Sequence, residues 1–422
     1  MDGPHFFSDL ASLLPNVAHL TAVWMRGDAQ YKQVASHHAF AAIKSDGSVI
    51  TWGDSDKGGD SSSVEHRLQG GVEQLLGNTT AFAAIKSDGS VITWGASFEG
   101  GDSSRVEHRL QEGVVQLVGN GFAFAAIKLE GSVITWGASG EGGDSSRVEH
   151  RLQEGAVQVI ANGRAFAAVK SDGSVITWGD SGLGGDSASV GHRLQEGLVQ
   201  VVGNLFAFAA VKADGSVITW GASGFGGNSS RVEHRLQEGV VQVVGNAMAF
   251  AAIKSDGSVI TWGDSGEGGD SASVERRLQE GVVQVVGNLF AFAAIKSDGS
   301  VITWGDSDQA LALNIDSKKS DGSVITWGDS RKGGDSYRVE HRLQEGVSDG
   351  SVITWGNSVF GGDSSRVEHR LQEGVVQVFG NACTFAAIKS DGSVITWGET
   401  GEGSDSSRVE HRLQEGVVQV VG

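Results

Sequence analysis

The sequence predicts an all-β fold, a β-propeller built from tandem repeats of 42 residues. Tryptophans recur every 42 residues from Trp52 to Trp304. Each tryptophan ends a short strand that follows a turn motif, as in SDGSVITWG at 45–53. The strands are apolar on both faces, so each small sheet is expected to lie between two others, an arrangement that radial repetition provides.

One representative repeat shows the expected elements in chain order. Residues 72–76 form a β-rich run that ends at the turn signal 77–78, Gly-Asn. Two further strands are predicted at 81–86 and 90–94. Between them Gly89 can adopt the positive φ of a tight hairpin turn, so the second and third strands should form a β-hairpin.

The second half of the repeat predicts a short helix or a helical turn. Ser104 and Glu107 match a capping box, and Val106 and Leu110 share one helical face at i and i+4. Gly113 is a suitable end point. This element is expected to stand where a four-stranded blade would have its last strand.

The number of repeats predicts seven blades. Six intact repeats and one composite repeat at 282–346 account for the range 30–346, after an atypical segment at 1–29. Residues 347–422 hold further repeats, one of them truncated, and end with VVQVVG in the middle of a strand. That ending is either a closing strand or a sign of a damaged gene model, and an open spiral of repeats is the alternative architecture.

Composition excludes several classes of partner. The formal net charge of −19 disfavours electrostatic binding to nucleic acid or anionic lipid and is compatible with a basic protein partner. Cys383 is the only cysteine, so no disulfide framework is expected. No apolar run reaches the length of a membrane span and the first residues make a poor signal peptide, so an intracellular protein, cytoplasmic or nuclear, is expected.

Two motifs imitate catalytic or metal sites. Gly179-Asp180-Ser181-Gly182 matches the nucleophile motif of trypsin-like proteases, but sister repeats vary at this place, which favours a plain turn. Asp54, Asp56 and Asp60 alternate as in a calcium loop but lack the closing glutamate, which favours turn-forming side chains.

A third pattern is a histidine that recurs in the VEHRL segment, from His66 to His411. With one histidine in each repeat, the side chains should be spread around a ring, too far apart to share a metal. Arg276 replaces one of these histidines, and Gly191 replaces a neighbouring glutamate. A solvated surface is therefore expected here, with neither metal nor cofactor.

The repeat resembles that of the regulator of chromosome condensation family. The resemblance is carried by AFAAIKSDGSVITWG at 81–95 and by Gly100, six residues after the tryptophan. The repeat departs from the family where Ala81 replaces a usual histidine, Ser97 replaces an asparagine, and residues 101–103 replace Gln-Leu-Gly. The resemblance recurs along the chain and implies a seven-bladed propeller.

The resemblance implies no single activity, because the family includes a nucleotide exchange factor for a small GTPase, propeller domains of HECT-type ubiquitin ligases and a β-lactamase inhibitor. Exchange activity on a small GTPase and substrate recognition for a ubiquitin ligase are therefore alternative functions. An exchange factor needs one distinctive wedge, for which only 309–319 is irregular enough. A ligase needs a reactive cysteine, and Cys383 lies within a repeat strand.

We predict a non-catalytic, monomeric scaffold that binds a protein partner, a basic protein or a small GTPase. Repeats differ most in two loops, after Gly-Asn and after Trp-Gly, and loops on a rigid framework commonly carry binding residues. Drift after duplication is the alternative explanation of this variation. The candidate partner-binding residues are Phe98, Phe122, Leu183, Phe206, Phe225, Met248, Phe290 and Phe360.

Overall fold

The computed structural model describes residues 39–287, 290–298, 300–306, 364–380, 384–398 and 405–421. These residues form eight three-stranded antiparallel sheets of one design, which confirms an all-β propeller built from repeats. In each sheet a strand with a sequence such as Val-Val-Gln, here called the inner strand, pairs with a middle strand beginning Ala-Phe-Ala or Thr-Phe-Ala. The middle strand pairs in turn with the outer strand, Val-Ile-Thr-Trp-Gly.

Strand bounds repeat almost without change from sheet to sheet. The inner strands are β3 (Val72–Gly77), β6 (Val114–Gly119), β9 (Ala156–Ala161), β12 (Leu198–Gly203), β15 (Val240–Gly245), β18 (Val282–Gly287), β21 (Val375–Gly380) and β24 (Val417–Val421). The middle strands are β1 (Ala39–Lys44), β4 (Ala81–Lys86), β7 (Ala123–Lys128), β10 (Ala165–Lys170), β13 (Ala207–Lys212), β16 (Ala249–Lys254), β19 (Ala291–Lys296) and β22 (Thr384–Lys389). The outer strands are β2 (Val49–Gly53), β5 (Val91–Gly95), β8 (Val133–Gly137), β11 (Val175–Gly179), β14 (Val217–Gly221), β17 (Val259–Gly263), β20 (Val301–Gly305) and β23 (Val394–Gly398).

The predicted hairpin between middle and outer strands is confirmed. Gly89 has a φ of 76°, and Ile85 of β4 lies opposite Val91 of β5. The Asp88 carboxylate accepts the backbone N–H of Ser90 at 2.9 Å, which closes the turn. Hydrogen bonds from the Ser90 hydroxyl and N–H lower the pKa of the Asp88 carboxyl.

The second half of the repeat forms two short helical turns, and the predicted capping box is wrong. The VEHRL segment makes a 3-10 turn at Glu107–Arg109 whose N-cap, Val106, has no side-chain hydrogen bond. The backbone N–H of Ser104, which the Glu107 side chain would accept in a capping box, donates instead to the Asp102 carboxylate at 2.8 Å. Asp102 is only two residues away, so its side chain competes successfully for this N–H. Leu110, which follows the turn, is fully buried as the apolar pattern predicts.

The turns have constant positions along the chain. Those of the VEHRL segments are Glu65–Arg67, Glu107–Arg109, Glu149–Arg151, Ala188–Leu194, Glu233–Arg235, Glu275–Leu278, Glu368–Arg370 and Glu410–Arg412. Those that follow Trp-Gly are Ser55–Lys57, Ser97–Glu99, Ser139–Glu141, Ser181–Leu183, Ser223–Phe225 and the slightly longer turn Ser265–Gly269.

Adjacent sheets are joined by the tryptophan at the end of each outer strand. Trp136 is 4% exposed and stacks on Phe124 with ring centroids 5.5 Å apart. Its indole N–H donates to the carbonyl of Gly100 in the preceding repeat at 3.0 Å. Gly100 has a φ of 109°, and a Cβ there would lie 2.6 Å from the Phe124 ring, so this position needs glycine.

The inner strands of consecutive sheets contact one another, so the sheets converge along this edge. Burial on both faces holds for the middle strands but not for the inner ones. Val114 and Leu117 of β6 are buried, whereas Val115 is 50% exposed. The same inner-strand position is exposed in each further described sheet, at Glu73, Val157, Val199, Val241, Val283, Val376 and Val418.

The last described strand completes the first sheet, as the closing-strand interpretation of VVQVVG expects. β24 pairs with β1, with Val420 opposite Ala42 and Val421 opposite Ala41. The eight sheets of the described residues exceed the seven blades expected from the sequence. Residues 307–363, which include the composite repeat after Asp306, lie outside the described residues.

Candidate functional site

The two variable loops of each repeat lie together at one end of the strands. The Asn loop, residues 78–80 in the second sheet, joins the inner and middle strands, and the Trp loop, residues 96–99, follows the outer strand. The backbone N–H of Ala96 donates to the carbonyl of Thr80 at 2.9 Å. We call the surface formed by these two loop types in all described repeats the loop face.

A buried asparagine links the two loops. The Asn78 side chain is fully buried, and its Oδ1 accepts the backbone N–H groups of Thr80 at 3.0 Å and Ala81 at 2.8 Å. Its Nδ2 donates to the carbonyl of Glu99 at 2.6 Å. In the sequence this asparagine stands out only as part of a turn signal. Its recurrence before every variable pair was the available sign of a structural role.

The structure places the described candidate residues in these loops with different exposures. Phe98 is 78% exposed. The half-buried candidates are Phe122, Leu183, Phe206, Phe225, Met248 and Phe290. Phe360 lies outside the described residues. The loop face therefore offers one prominent aromatic side chain, while the other candidates have part of their surface covered by neighbouring loops.

Contacts within the loop face bring some candidates together. The rings of Phe206 and Phe225, from the two loops of one repeat, are 4.5 Å apart. Between two repeats, the Arg164 guanidinium lies 5.2 Å from the centroid of the Phe122 ring and 3.3 Å from a Glu141 carboxylate oxygen. These contacts fix the orientation of the loop side chains before any partner binds.

The loop face is acidic. Burial raises the pKa of the Glu141 carboxyl, and the positive charge of Arg164 acts in the opposite direction. Burial also raises the pKa of the Glu267 carboxyl, here reinforced by Asp306 and Asp264. The other acidic residues of the described loops are Asp54, Asp56, Glu99 and Asp180, against the bases Lys57 and Arg164.

The opposite ends of the strands form a much more uniform surface, here called the turn face. It consists of the hairpin turns between middle and outer strands, written Ser-Asp-Gly at 45–47, 87–89, 171–173 and 255–257. Two described turns depart from this sequence, Ala-Asp-Gly at 213–215 and Leu-Glu-Gly at 129–131, where Leu129 is 82% exposed. Variation is therefore concentrated on the loop face.

The motifs that imitate catalytic and calcium sites form turns. Asp180 accepts the backbone N–H of Gly182 at 2.8 Å, as the turn interpretation predicts. Asp54 accepts the N–H of Asp56 at 3.0 Å, and Asp60 that of Ser62 at 2.8 Å. In the part of the chain that the structure describes, no three His, Cys, Asp or Glu side chains are grouped so as to hold a metal ion.

The recurring histidines point into solvent, as expected for a solvated surface. The described members are His66, His108, His150, His192, His234, His369 and His411, and all are exposed. No helix among the described residues combines the length and apolar character that crossing a membrane requires. The irregular stretch 309–319 and Cys383 lie outside the described residues.

Comparison with known proteins gives similarity in solved structures alone. No family model and no curated protein matches the chain. A structure of Prp20p from Saccharomyces cerevisiae is 13% identical, with a TM-score of 0.36, and the match covers 87% of this chain and 82% of that one.

Two further solved structures show the same low similarity. Yeast RCC1 (Prp20) bound to Kap60 is 15% identical with a TM-score of 0.34, covering 68% of this chain and 70% of that one. The CRINKLY WD40 ectodomain of the Arabidopsis thaliana receptor kinase ACR4 is 13% identical with a TM-score of 0.35, covering 76% and 93%. The solved structures similar to this chain thus include RCC1 structures and another propeller protein.

Proposed function

We propose that this chain is a non-catalytic scaffold whose loop face binds a protein partner. The observation that carries the proposal is the contrast between the two ends of the strands. The turn face repeats nearly one sequence, whereas the loop face differs from repeat to repeat in side chains held by buried asparagines. Variable side chains on a rigid framework are how repeat proteins commonly make a specific binding surface.

Charge and exposure define the kind of partner that fits. Eight acidic residues and two basic ones stand in the described loops. A complementary partner carries basic side chains, because opposite potentials favour encounter and disfavour wrong partners. Phe98, 78% exposed, and the half-buried Phe206–Phe225 pair supply the apolar contacts. The proposed partner is therefore a protein surface that combines basic and apolar residues.

The test uses two exposed apolar residues at opposite ends of the molecule. Phe98 on the loop face is 78% exposed and Leu129 on the turn face is 82% exposed. The full chain and its Phe98→Ser and Leu129→Ser variants are used to capture proteins, and the affinity of a purified partner is then measured. Removing a large apolar contact at an interface is expected to weaken binding about tenfold or more.

The expected result is a loss of affinity for Phe98→Ser and unchanged affinity for Leu129→Ser. Equal thermal stability of the two variants would show that the difference does not come from folding. Equal affinity of both variants, or a loss confined to Leu129→Ser, would overturn the assignment of the binding surface to the loop face.

A further inference from the structure

The outer rim of the propeller carries a row of ion pairs between consecutive repeats. Four described arginines of the VEHRL segments pair with the glutamate of the next segment, namely Arg67, Arg109, Arg370 and Arg412. Arg193 and Arg235 donate instead to the carbonyls of Val217 and Val259. Arg109 and Glu149 are 2.9 Å apart, and Arg67 and Glu107 are 3.7 Å apart. Arg412 reaches Glu65 at 3.9 Å across the point where the last strand joins the first sheet. Arg67 and Arg412 also donate to outer-strand carbonyls, Arg67 to that of Val91 at 3.1 Å and Arg412 to that of Val49 at 3.4 Å.

One position in this row lacks its carboxylate. Arg151 belongs to the third sheet's repeat, and the next VEHRL segment has Gly191 in place of glutamate. Among the described arginines of this position, the Arg151 side chain is the one without a hydrogen-bond or ion-pair partner. A Cβ at Gly191 would meet nothing within 4 Å, so the place of the missing side chain is open.

This open place is part of a groove along the rim. The groove between the third and fourth sheets has a volume of about 640 Å³ and is lined by Arg147, Arg151, Asp144, Asp186 and Trp178, among others. Its charged lining is thus two arginines and two aspartates. Both carboxylates are already engaged, since Asp144 accepts the N–H of Ser146 at 2.9 Å and Asp186 that of Ala188 at 2.8 Å.

The corresponding groove one repeat earlier, at Arg109, shows which group is missing from the lining of the groove at Arg151. Between the second and third sheets, a groove of about 620 Å³ is lined by Asp102, Asp144, Glu149, Arg105 and Arg109. It has one carboxylate more than the groove at Arg151, and that carboxylate pairs with Arg109 at 2.9 Å. In this sister groove, a glutamate side chain of the next repeat thus approaches the arginine in the way that the carboxylate of a ligand would.

We propose that the groove at Arg151 binds an acidic side chain of a partner protein, whose carboxylate takes the place left by Gly191. The guanidinium offers a pair of N–H donors with the geometry of a carboxylate. An exposed pair of this kind adds little affinity, so the groove would select and orient a partner that is held mainly elsewhere. The inference rests on the proposed protein-binding function, because the carboxylate is to come from a protein.

The test follows arginine side chains directly by NMR, with 15N-arginine in the full chain. Sodium propionate, which has the size of a glutamate side chain, is added stepwise to the protein. A parallel titration with sodium chloride at equal ionic strength is the control. The Arg151→Lys variant identifies the Arg151 signal, because that signal is absent from its spectrum. We expect the Arg151 side-chain signal to shift with saturation, at least about threefold more than that of the paired Arg109. Equal shifts of Arg151 and Arg109 would overturn the proposal.

Two variants provide matched controls in opposite directions. Gly191→Glu supplies the carboxylate within the chain and should abolish the Arg151 response. Glu149→Gly removes the carboxylate from the sister groove and should make Arg109 respond as Arg151 does. An Arg151 response that persists in Gly191→Glu, or an Arg109 signal that stays silent in Glu149→Gly, would contradict the inference.

A pair of peptides then tests the source of the carboxylate. The acetylated and amidated pentapeptides Gly-Ser-Glu-Ser-Gly and Gly-Ser-Gln-Ser-Gly differ only in charge at the central residue. The glutamate peptide should shift the Arg151 signal and the glutamine peptide should not, whereas equal effects would overturn the proposal. A negative result with the peptides would overturn the proposal for the Arg151 groove only. The proposal that the loop face binds a partner is tested independently by comparing Phe98→Ser with Leu129→Ser.

Discussion

At the scale of single residues, a small set of side chains and glycines locks each repeat to the next. The indole N–H of Trp136 donates to the Gly100 carbonyl at 3.0 Å, and the positive φ of Gly100 lets Phe124 pack against its backbone. The sequence resemblance included this glycine without a reason for it. The structure supplies that reason, because any side chain at this position would occupy the space of the aromatic ring.

We predict that Gly100→Ala is destabilising. A non-glycine residue in the left-handed region costs about 1–3 kcal/mol, and the contact with Phe124 adds to that cost. The matched control is Gly140→Ala, since a Cβ at Gly140 meets nothing within 4 Å and should change the free energy of unfolding by less than about 0.5 kcal/mol. Denaturant unfolding measures both, and equal stability of the two variants would argue against this interpretation.

The buried asparagine of the Asn loop supports a second prediction. Asn120 accepts the backbone N–H groups of Phe122 and Ala123 and donates to the Glu141 carbonyl at 2.6 Å. Asn120→Ala leaves these groups without partners and should lower the free energy of unfolding by about 2–4 kcal/mol. Asn228→Ala, at an exposed turn, is the control and should have a much smaller effect. Thermal unfolding of both variants checks the difference.

The Glu267 carboxyl gives a pH-dependent prediction. Burial and the nearby Asp306 and Asp264 raise its pKa, so the folded state favours the protonated form. The stability that this preference contributes is complete below the ordinary pKa of 4.5 and is lost as pH rises through the raised value. Glu267→Gln should therefore raise the Tm at pH 7 and have little effect below pH 4.5.

Glu141→Gln is the matched comparison for this prediction. Its pKa is raised by burial as well, but the glutamate pairs with Arg164 at 3.3 Å, and the substitution removes that pair. The increase in Tm at pH 7 should be smaller than for Glu267→Gln. A lower Tm for Glu267→Gln at pH 7 would show that the carboxylate is stabilised in the folded protein and would contradict the prediction.

At the scale of elements, β24 is the strand whose role the sequence left open between two interpretations. It completes the first sheet by pairing with β1 and buries Val417 and Val420. The exposed Val418 lies between them, at the edge where the sheets converge. One strand thus connects the two ends of the described chain, and its buried face should govern stability.

Two substitutions in β24 test this closure. Val420 is 1% exposed, so Val420→Asp would bury an unpaired charge and should cost several kcal/mol, about 3 or more. Val418 is 59% exposed, and Val418→Asp should be tolerated. Limited proteolysis and thermal unfolding are the measurements. If both variants unfold like the parent chain, β24 does not hold the first sheet in solution.

Element by element, the sequence predicted the middle and outer strands well because their turn chemistry is local. Gly89 has the positive φ that the turn sequence predicts, and the structure adds the Asp88 carboxylate, which accepts the Ser90 N–H. The capping box at Ser104 and Glu107 failed because Asp102 provides a closer acceptor for the Ser104 N–H. The exposure of Val115 could not be predicted either, since it depends on where neighbouring sheets converge.

The candidate binding residues show the same division between local and long-range information. Their placement in two loops could be predicted, because the repeated sequence shows where the strands end. Their exposure depends on neighbouring repeats, as for Phe122 beneath the Arg164 guanidinium. Phe98 and the half-buried candidates look alike in sequence, and only the packing of adjacent loops separates them.

At the scale of the whole molecule, the surfaces at the two opposite ends of the strands, the loop face and the turn face, differ in sequence variation and in the side chains that they present. The turn face presents the same Ser-Asp-Gly turn in most repeats, while the loop face presents acidic and aromatic side chains that change around the ring. The rim holds ion pairs between repeats, with one position lacking its carboxylate beside Arg151. The proposed function depends on this difference between the two ends.

Hydrogen exchange of the chain with a captured and purified partner tests that difference most directly. We predict that partner binding slows exchange at loop-face segments such as 78–80, 96–99 and 121–122, and leaves the turns at 45–48 and 87–90 unchanged. Protection that is confined to those turns, with the loop face exchanging as in the free protein, would contradict the proposal that the variable loops bind the partner.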